Sequence, residues 1–145
     1  MTSRMHRVAP ALLAAVLLAG CGTDPAGQDL CARFADLQAA VDDLEAAPPI
    51  DTTNADAVQQ QVDALRLQAD KVRDTLDQVQ RVSEGRLDTV IANARLSVDE
   101  MRESLIVARY DAAETLGPKI TEAQANLREA YAPVASALDT QCSAS

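Results

Sequence analysis

Few residues of this sequence carry side chains able to do covalent or acid–base chemistry: three cysteines, one histidine and several groups of carboxylates. Cysteine thiolates act as nucleophiles, bind metals or form disulfides, and paired carboxylates act as general acids and bases. His6 and Cys21 lie within the first 21 residues, whereas Cys31 and Cys142 stand near the two ends of the chain that follows. The chemistry open to this chain therefore depends first on what those 21 residues are.

The first 20 residues have the pattern of a secretory signal. Arg4 and Arg7 supply positive charge, and an almost wholly apolar run from Val8 to Ala19 follows them. That run is about a dozen residues long, whereas a helix needs roughly 20 to cross a bilayer. A charged start, a short apolar middle and small residues at the end are typical of a signal peptide that is removed on export. We expect residues 1–20 to be cleaved.

The end of this segment, Leu18-Ala19-Gly20-Cys21, resembles the lipobox of bacterial lipoproteins, which is an aliphatic residue, two small residues and a cysteine. The resemblance implies that Cys21 receives a diacylglycerol thioether and becomes the lipidated N-terminus, held to a cell membrane on its extracytoplasmic face. Each buried lipid methylene contributes about 0.8 kcal/mol, and two chains hold stably where one does not. The alternative is an ordinary signal peptide followed by a chance cysteine. The resemblance covers residues 1–21 only.

Cys31 and Cys142 remain as an even pair once Cys21 is assigned to lipid. In an exported protein the oxidising surroundings make a disulfide the expected state of such a pair. Closing so long a loop is expected to stabilise the fold by about 4–5 kcal/mol. The alternative is two unpaired buried thiols, and we predict the Cys31–Cys142 disulfide.

No constellation for catalysis, for a metal or for a cofactor is visible after the signal. Without a histidine the Glu-x-x-His motif of carboxylate-bridged metal pairs is missing, and two cysteines alone lack the other ligands of a zinc site. There is no phosphate loop and no Gly-x-Ser-x-Gly motif. Outward-facing acidic groups alternate with the apolar positions, which is typical of solvated helix faces. They are Asp42-Asp43-Glu45, Asp70/Asp74/Asp77 and Asp99-Glu100-Glu103. We therefore expect no enzymatic activity.

Composition and charge limit the possible binding partners and the fold class. The 145 residues have a formal charge of −9, which becomes −11 when Arg4 and Arg7 leave with the signal. This balance opposes binding to nucleic acid or to anionic headgroups. The sequence has no tryptophan, one phenylalanine, two tyrosines and five glycines, which favours helices in a single small domain. Tyr110, Tyr131 and Met101 are interpreted as packing residues.

Apolar residues repeat at steps of three and four, which is the period of an amphipathic α-helix. The four predicted stripes are Leu30, Phe34, Leu37, Val41 and Leu44; Val58, Val62, Leu65, Ala69, Val72, Leu76 and Val79; Leu87, Ile91, Ala94, Val98, Met101, Leu105, Ala108 and Ala112; and Ile120, Leu127, Tyr131, Val134 and Leu138. The first helix is expected from about Asp29 to Ala46. The turn Leu105–Ala108 is apolar all round and is expected to lie deepest.

Prolines and capping residues divide these stripes. Pro48-Pro49 is expected to end the first helix, and Thr53 with Asp56 has the spacing of a capping box at the start of the second. Gly117-Pro118 is expected to end the third helix, with its proline in the first turn of the fourth. Pro133 is expected to kink or break the fourth helix in the turn before it.

Four stripes and three turns predict an all-α fold, an antiparallel up-down four-helix bundle over residues 29–145, after a lipidated tether of residues 21–28. In that order Cys31 and Cys142 lie at the same end. If Gly85 were no break, one helix would span roughly 95 Å and the cysteines would stand about 30 Å apart. A disulfide requires Cα atoms within about 7 Å, so we choose the bundle.

Two functions are compatible with this reading. The leading hypothesis is a non-catalytic, membrane-anchored bundle that acts in protein interaction or as an envelope component. Its partners would be the membrane, through the lipid on Cys21, and a protein of the envelope, but not nucleic acid. The alternative is a small-ligand binding module with a pocket between helices, opened by Pro133 near Tyr131. An enclosed apolar cavity of several hundred Å³ would favour the alternative.

Overall fold

The computed structural model describes residues 25–108 and 113–143, with the side chains of residues 26–108 and 115–143. Its elements are α1 (Pro25–Glu45), α2 (Ala55–Val82), α3 (Asp88–Val107) and α4 (Ala113–Cys142). Each helix packs against the next along the chain, and α1 packs against α4 to close the bundle. The predicted all-α four-helix bundle is confirmed.

Cross-helix contacts establish the antiparallel directions, because residue numbers rise on one helix as they fall on its neighbour. The pairs are Arg33–Gln78 and Asp43–Lys71 between α1 and α2, Asp70–Arg102 and Asp77–Arg95 between α2 and α3, and Cys31–Cys142 and Leu44–Gln124 between α1 and α4. The start of α1, the end of α2, the start of α3 and the end of α4 therefore share one end of the bundle. We call this the disulfide end, and the opposite end carries the loop of residues 46–54.

The predicted stripes form the core. All members of the first stripe are buried, as are the described members of the third, whereas Ala112 lies outside the described residues. In the other two stripes only Val58 and Tyr131 are half-buried. Leu116 is fully buried although no stripe included it. Burying one such leucine contributes about 1.5–3 kcal/mol, so these four faces hold the helices together.

The turn between α2 and α3 settles whether Gly85 divides the long helical segment. Gly85 has φ 81° and Glu84 has φ 53°, both in the left-handed region that no α-helix enters. Ser83 closes α2 as its C-cap, and its amide donates to the Val79 carbonyl oxygen at 2.9 Å. The chain reverses here, and the single long helix is excluded.

The start of α1 lies earlier than predicted. The helix begins at Pro25 rather than Asp29, so residues 25–28, which were assigned to the tether, are helical. Proline is well suited to a first helical position, because its fixed φ matches the helix and its missing N–H would have no partner there.

The predicted capping box at α2 is wrong. Asn54 is the N-cap, and its Oδ1 accepts hydrogen bonds from the Asp56 amide at 2.9 Å and the Ala57 amide at 3.4 Å. Thr53 instead donates its hydroxyl and its amide to Asp51 Oδ1, at 2.6 and 3.0 Å. These two hydrogen bonds, the hydroxyl first, lower the pKa of Asp51 below its ordinary value.

The boundary between the third and fourth helices also differs from the prediction. α3 ends at Val107, and α4 begins at Ala113, so Gly117-Pro118 lies inside α4 rather than at its start. Pro133 does not break the helix either, which is continuous to Cys142. Both prolines are exposed, and each removes one backbone hydrogen bond. Buried neighbours hold both turns against the core, which outweighs that loss: Leu116 and Ile120 around the first, Val134 and Leu138 around the second.

The turn Leu105–Ala108 is not the deepest part of the bundle. Leu105 and Ala108 are buried, but Ile106 and Val107 are each 48% exposed. One side of a surface helix always faces solvent, so an all-apolar turn leaves apolar side chains exposed.

Candidate functional site

The disulfide joins the first and last helices at one end of the bundle. Cys31 lies in the second turn of α1 and Cys142 is the last residue of α4, and their Cα atoms are 5.5 Å apart across 111 residues of sequence. The two helices reach this position because both are antiparallel to their sequence neighbours. The predicted pair is thus joined in the structure, and it encloses nearly the whole bundle within one covalent loop. Cys21, the predicted lipidation site, lies outside the described residues.

Part of each predicted acidic cluster pairs with a basic residue of a neighbouring helix. Asp99 forms an ion pair with Arg73 at 3.3 Å, Asp77 forms one with Arg95 at 3.2 Å, and Asp70 pairs with Arg102. These pairs run along the α2–α3 interface as a ladder of half-exposed ions. Each pair is worth about 0–1 kcal/mol at such exposure, so the ladder aligns the helices more than it stabilises them.

Two further interfaces carry compensated carboxylates. Asp43 on α1 accepts from Lys71 on α2 at 3.0 Å, and Glu45 on α1 accepts from Arg128 on α4 at 2.9 Å. The contact with Glu45 raises the pKa of Arg128, first through the hydrogen bond and then through the opposite charge. These acids were predicted to lie on solvated faces, without the basic partners that they have across the interface. Lys71 and Arg128 belong to two different helices, so no spacing along the chain indicated these pairs.

The α3–α4 interface is built differently, because its outer side opens into a cleft. Two adjoining depressions of about 430 and 420 Å³ share Ser97, Glu100 and Asn126, and together they form what we call the α3–α4 cleft. It extends from Val107 at one end of the bundle to Pro133 towards the disulfide end. Its remaining lining is Val90, Asn93, Met101, Glu103, Ser104, Lys119, Glu122, Ala123, Glu129 and Ala130.

Carboxylates dominate the charge of the α3–α4 cleft. Glu100, Glu103, Glu122 and Glu129 line it, are exposed, and form no ion pair with another described residue. Lys119 is the basic residue among the described lining. The cleft is therefore a negatively charged surface with partly apolar walls, suited to binding rather than to acid–base chemistry.

Tyr131 lies on the other side of α4, towards α1. Its hydroxyl is buried and has no hydrogen-bond partner among the described residues, and burial raises its pKa to about 12, with further contributions from the charges of Asp42 and Glu45. The cleft lined by Pro133 does not include Tyr131. In the described part of the chain, Pro133 and Tyr131 therefore do not line the same cleft, whereas the small-ligand alternative expected a pocket near both.

The other residues considered for chemistry have simple positions. Met101 is 1% exposed and belongs to the core, whereas Tyr110 lies outside the described residues. Over residues 25–108 and 113–143, no three His, Cys, Asp or Glu side chains come together in a way that would hold a metal ion. Among these same residues no helix is long and apolar enough to cross a membrane.

Comparison of the chain with protein-family models, with curated proteins and with solved structures found no match. Its function is therefore inferred from the sequence and from the geometry described above.

Proposed function

We propose that this protein is a lipid-anchored, non-catalytic helical bundle that acts through protein contacts on the extracytoplasmic face of a membrane. The observation that carries the proposal is the Cys31–Cys142 disulfide. Its first cysteine, Cys31, follows the predicted lipidation site Cys21 by ten residues. Stable disulfides belong to oxidising compartments, which agrees with export by the predicted signal peptide.

The start of α1 defines how such an anchor would present the bundle. From Cys21 to Pro25 the chain spans at most about 14 Å, so the lipid would hold the disulfide end close to the membrane. α2 alone is 28 residues long and rises about 42 Å, so in a bundle that stands upright on this anchor the loop of residues 46–54 would lie far from the bilayer. The sides of the bundle would then be accessible to a partner protein in the envelope.

The small-ligand alternative lacks a supporting observation. The described clefts of several hundred Å³ are open and lined by carboxylates and amides, whereas small-molecule sites are mostly apolar and enclose their ligand. A protein surface is the better match to an open, charged cleft of this kind.

Intact-mass analysis of the protein extracted from membranes tests the proposal. We expect a chain that begins at Cys21 and carries a diacylglycerol and further acyl mass, and we expect it to partition into detergent. The Cys21→Ala variant should lose the lipid mass and leave the membrane fraction while keeping the Cys31–Cys142 disulfide. Recovery of a cytosolic chain with residues 1–20 still attached would contradict the proposal.

A further inference from the structure

We propose that the α3–α4 cleft docks a basic, amphipathic helix of a partner protein. This inference rests on the proposed function, since it names the surface and the chemistry through which the bundle would make its protein contact. Three features of the described residues support it: uncompensated charge, shape and the spread of the carboxylates.

The charge of the cleft differs from that of the other helix interfaces. Asp70, Asp77 and Asp99 are neutralised by arginines from the facing helix, and Asp43 and Glu45 have basic partners as well. The glutamates that line the cleft have no such partner among the described residues. Lys119 is the one basic residue of the described lining, so the four glutamates leave the cleft negatively charged, and a cationic partner would relieve the repulsion between them.

The shape of the cleft fits one helix. Its α3 wall runs from Val90 to Val107, which is about 25 Å at 1.5 Å per residue. A partner helix of roughly 16 residues has the same length. Val107 is 48% exposed, and Ala123, Ala130 and Pro133 also line the cleft. Apolar walls between charged rims are the setting in which an amphipathic helix lays its apolar face into a groove.

The spread of the carboxylates argues against a small cation as the occupant. Glu100 and Glu103 lie on α3, and Glu122 and Glu129 lie on α4, so the charges follow the two rims of the cleft. Within the described part of the chain they do not converge as the ligands of one metal ion. Charges distributed along a groove match a partner whose own charges are distributed along a helix.

The experiment uses the mature lipoprotein purified in a non-ionic detergent and a labelled peptide of about 16 residues, with leucines on one face and lysines and arginines on the flanks. We expect saturable binding by fluorescence anisotropy. The Glu100→Gln/Glu122→Gln variant, which removes one charge from each rim, should weaken binding at least about fivefold. Raising the salt concentration should weaken the wild type more than this variant, because exposed charges are screened.

The matched control is Asp74→Asn/Glu84→Gln, which removes the same charge from exposed positions outside the cleft. We expect its affinity to stay within about twofold of the wild type, since only the distant field changes. A charge exchange adds a gain of function: Glu100→Lys/Glu122→Lys should prefer a peptide whose basic residues are replaced by glutamate. Circular dichroism confirms that each variant is folded.

Four results would overturn the docking site: no peptide binding by the folded wild type, equal loss in the cleft and control variants, no reversal of preference on charge exchange, or cleft-dependent binding of spermidine without binding of the peptide. These results are separable from failure of the proposed function, because Cys21→Ala tests anchoring and leaves the cleft intact. If an unlipidated cytosolic chain bound the peptide, the docking proposal would stand and the proposed lipid anchor would be refuted. If the protein were lipidated in the envelope but did not bind the peptide, the anchor would stand and the docking proposal would be refuted.

Discussion

Asn54 is the residue that satisfies the exposed amides at the start of α2. Its side chain accepts from the Asp56 and Ala57 amides, which have no partner within the helix. We expect Asn54→Ala to lower the free energy of unfolding by about 1 kcal/mol. Urea denaturation followed by circular dichroism measures this change. Thr53→Ala is the control, and it should cost much less because the hydrogen bonds of the Thr53 hydroxyl and amide both go to the exposed Asp51. If Thr53→Ala lost more free energy of unfolding than Asn54→Ala, Thr53 would be the N-cap.

Tyr131 carries a buried hydroxyl to which no described residue offers a hydrogen bond. A buried polar group in that state costs free energy, so Tyr131→Phe is expected to leave the stability at neutral pH unchanged or to raise it by up to about 1 kcal/mol. Thermal denaturation at pH 7 checks this expectation. A loss of more than about 1 kcal/mol would mean that the hydroxyl is hydrogen-bonded in solution.

The same residue produces a pH dependence at the alkaline end. Its pKa is about 12 in the fold, against 10.0 for an ordinary tyrosine, so folding favours the neutral phenol. The resulting stability is fully present below pH 10 and is lost as the pH rises through 12. The decline in stability between these values should be smaller in Tyr131→Phe than in the wild type. If the stability of both proteins declined equally, the decline would be due to other titrating groups. A difference titration of phenolate absorbance locates the transition of Tyr131.

At the scale of the element, the turn between α2 and α3 depends on two consecutive left-handed residues. Gly85 tolerates φ 81° without cost, whereas Glu84 at φ 53° carries the strain of a side chain in that region. Gly85→Ala is expected to lower the free energy of unfolding by about 1–2 kcal/mol. Glu84→Gly is expected to be neutral or slightly stabilising, because relief of strain offsets the added freedom of the unfolded chain.

Denaturant titration of both turn variants gives the comparison. A loss of stability in Gly85→Ala without a loss in Glu84→Gly would identify backbone strain, because a loop that is merely sensitive to substitution would be destabilised by both changes. Equal destabilisation by both changes would show that the turn adopts another conformation in solution.

The helices themselves were predictable because their signal is local. In α1 and α2 every residue of the predicted stripes is buried, except Val58, which is half-buried. The ends of the elements were less predictable. Pro118 and Pro133 both look like helix breaks in the sequence, yet α4 continues through them. Local preference at those two residues is outweighed by packing against the core. Leu127 and Leu138 belong to the predicted stripe, whereas the buried Leu116 was not recognised in the sequence.

At the scale of the whole molecule, the Cys31–Cys142 disulfide closes a loop that contains most of α1, all of α2 and α3, and α4. The loop spans 111 residues, and the chain-entropy model gives about 4–5 kcal/mol for such a closure. Small domains unfold with about 5–15 kcal/mol in total, so this one bond supplies a large share.

We therefore expect Cys31→Ser/Cys142→Ser to lower the free energy of unfolding by about 4–5 kcal/mol, measured from its urea midpoint. Addition of a reductant should destabilise the wild type to a similar degree and leave the double variant unchanged. Cys21→Ala serves as the control, since it removes a cysteine outside the loop. Equal stability of the wild type and the double variant would mean that the bridge does not form in the exported protein.

The arrangement of charge at the candidate site was not predictable from the same stretches that revealed the helices. The acidic groups around Asp70 and Asp99 were recognised, but their arginine partners were not, because Arg73, Arg95 and Arg102 meet them only across an interface. Glu100 belonged to one of those groups as well, yet it faces a cleft instead of a basic side chain. Two neighbours in the sequence thus differ in role because they project from α3 in different directions.

Sequence alone determined the number of helices, most of the residues that fill their core, the direction of each helix relative to the next and the pairing of the last two cysteines. Each of these follows from a periodicity or a parity that is present in the chain before it folds. Only the tertiary structure decided where α4 begins, which acids are neutralised and where a charged cleft remains open. Those outcomes depend on the rotation and register of packed helices, which follow from how the side chains of all four interdigitate.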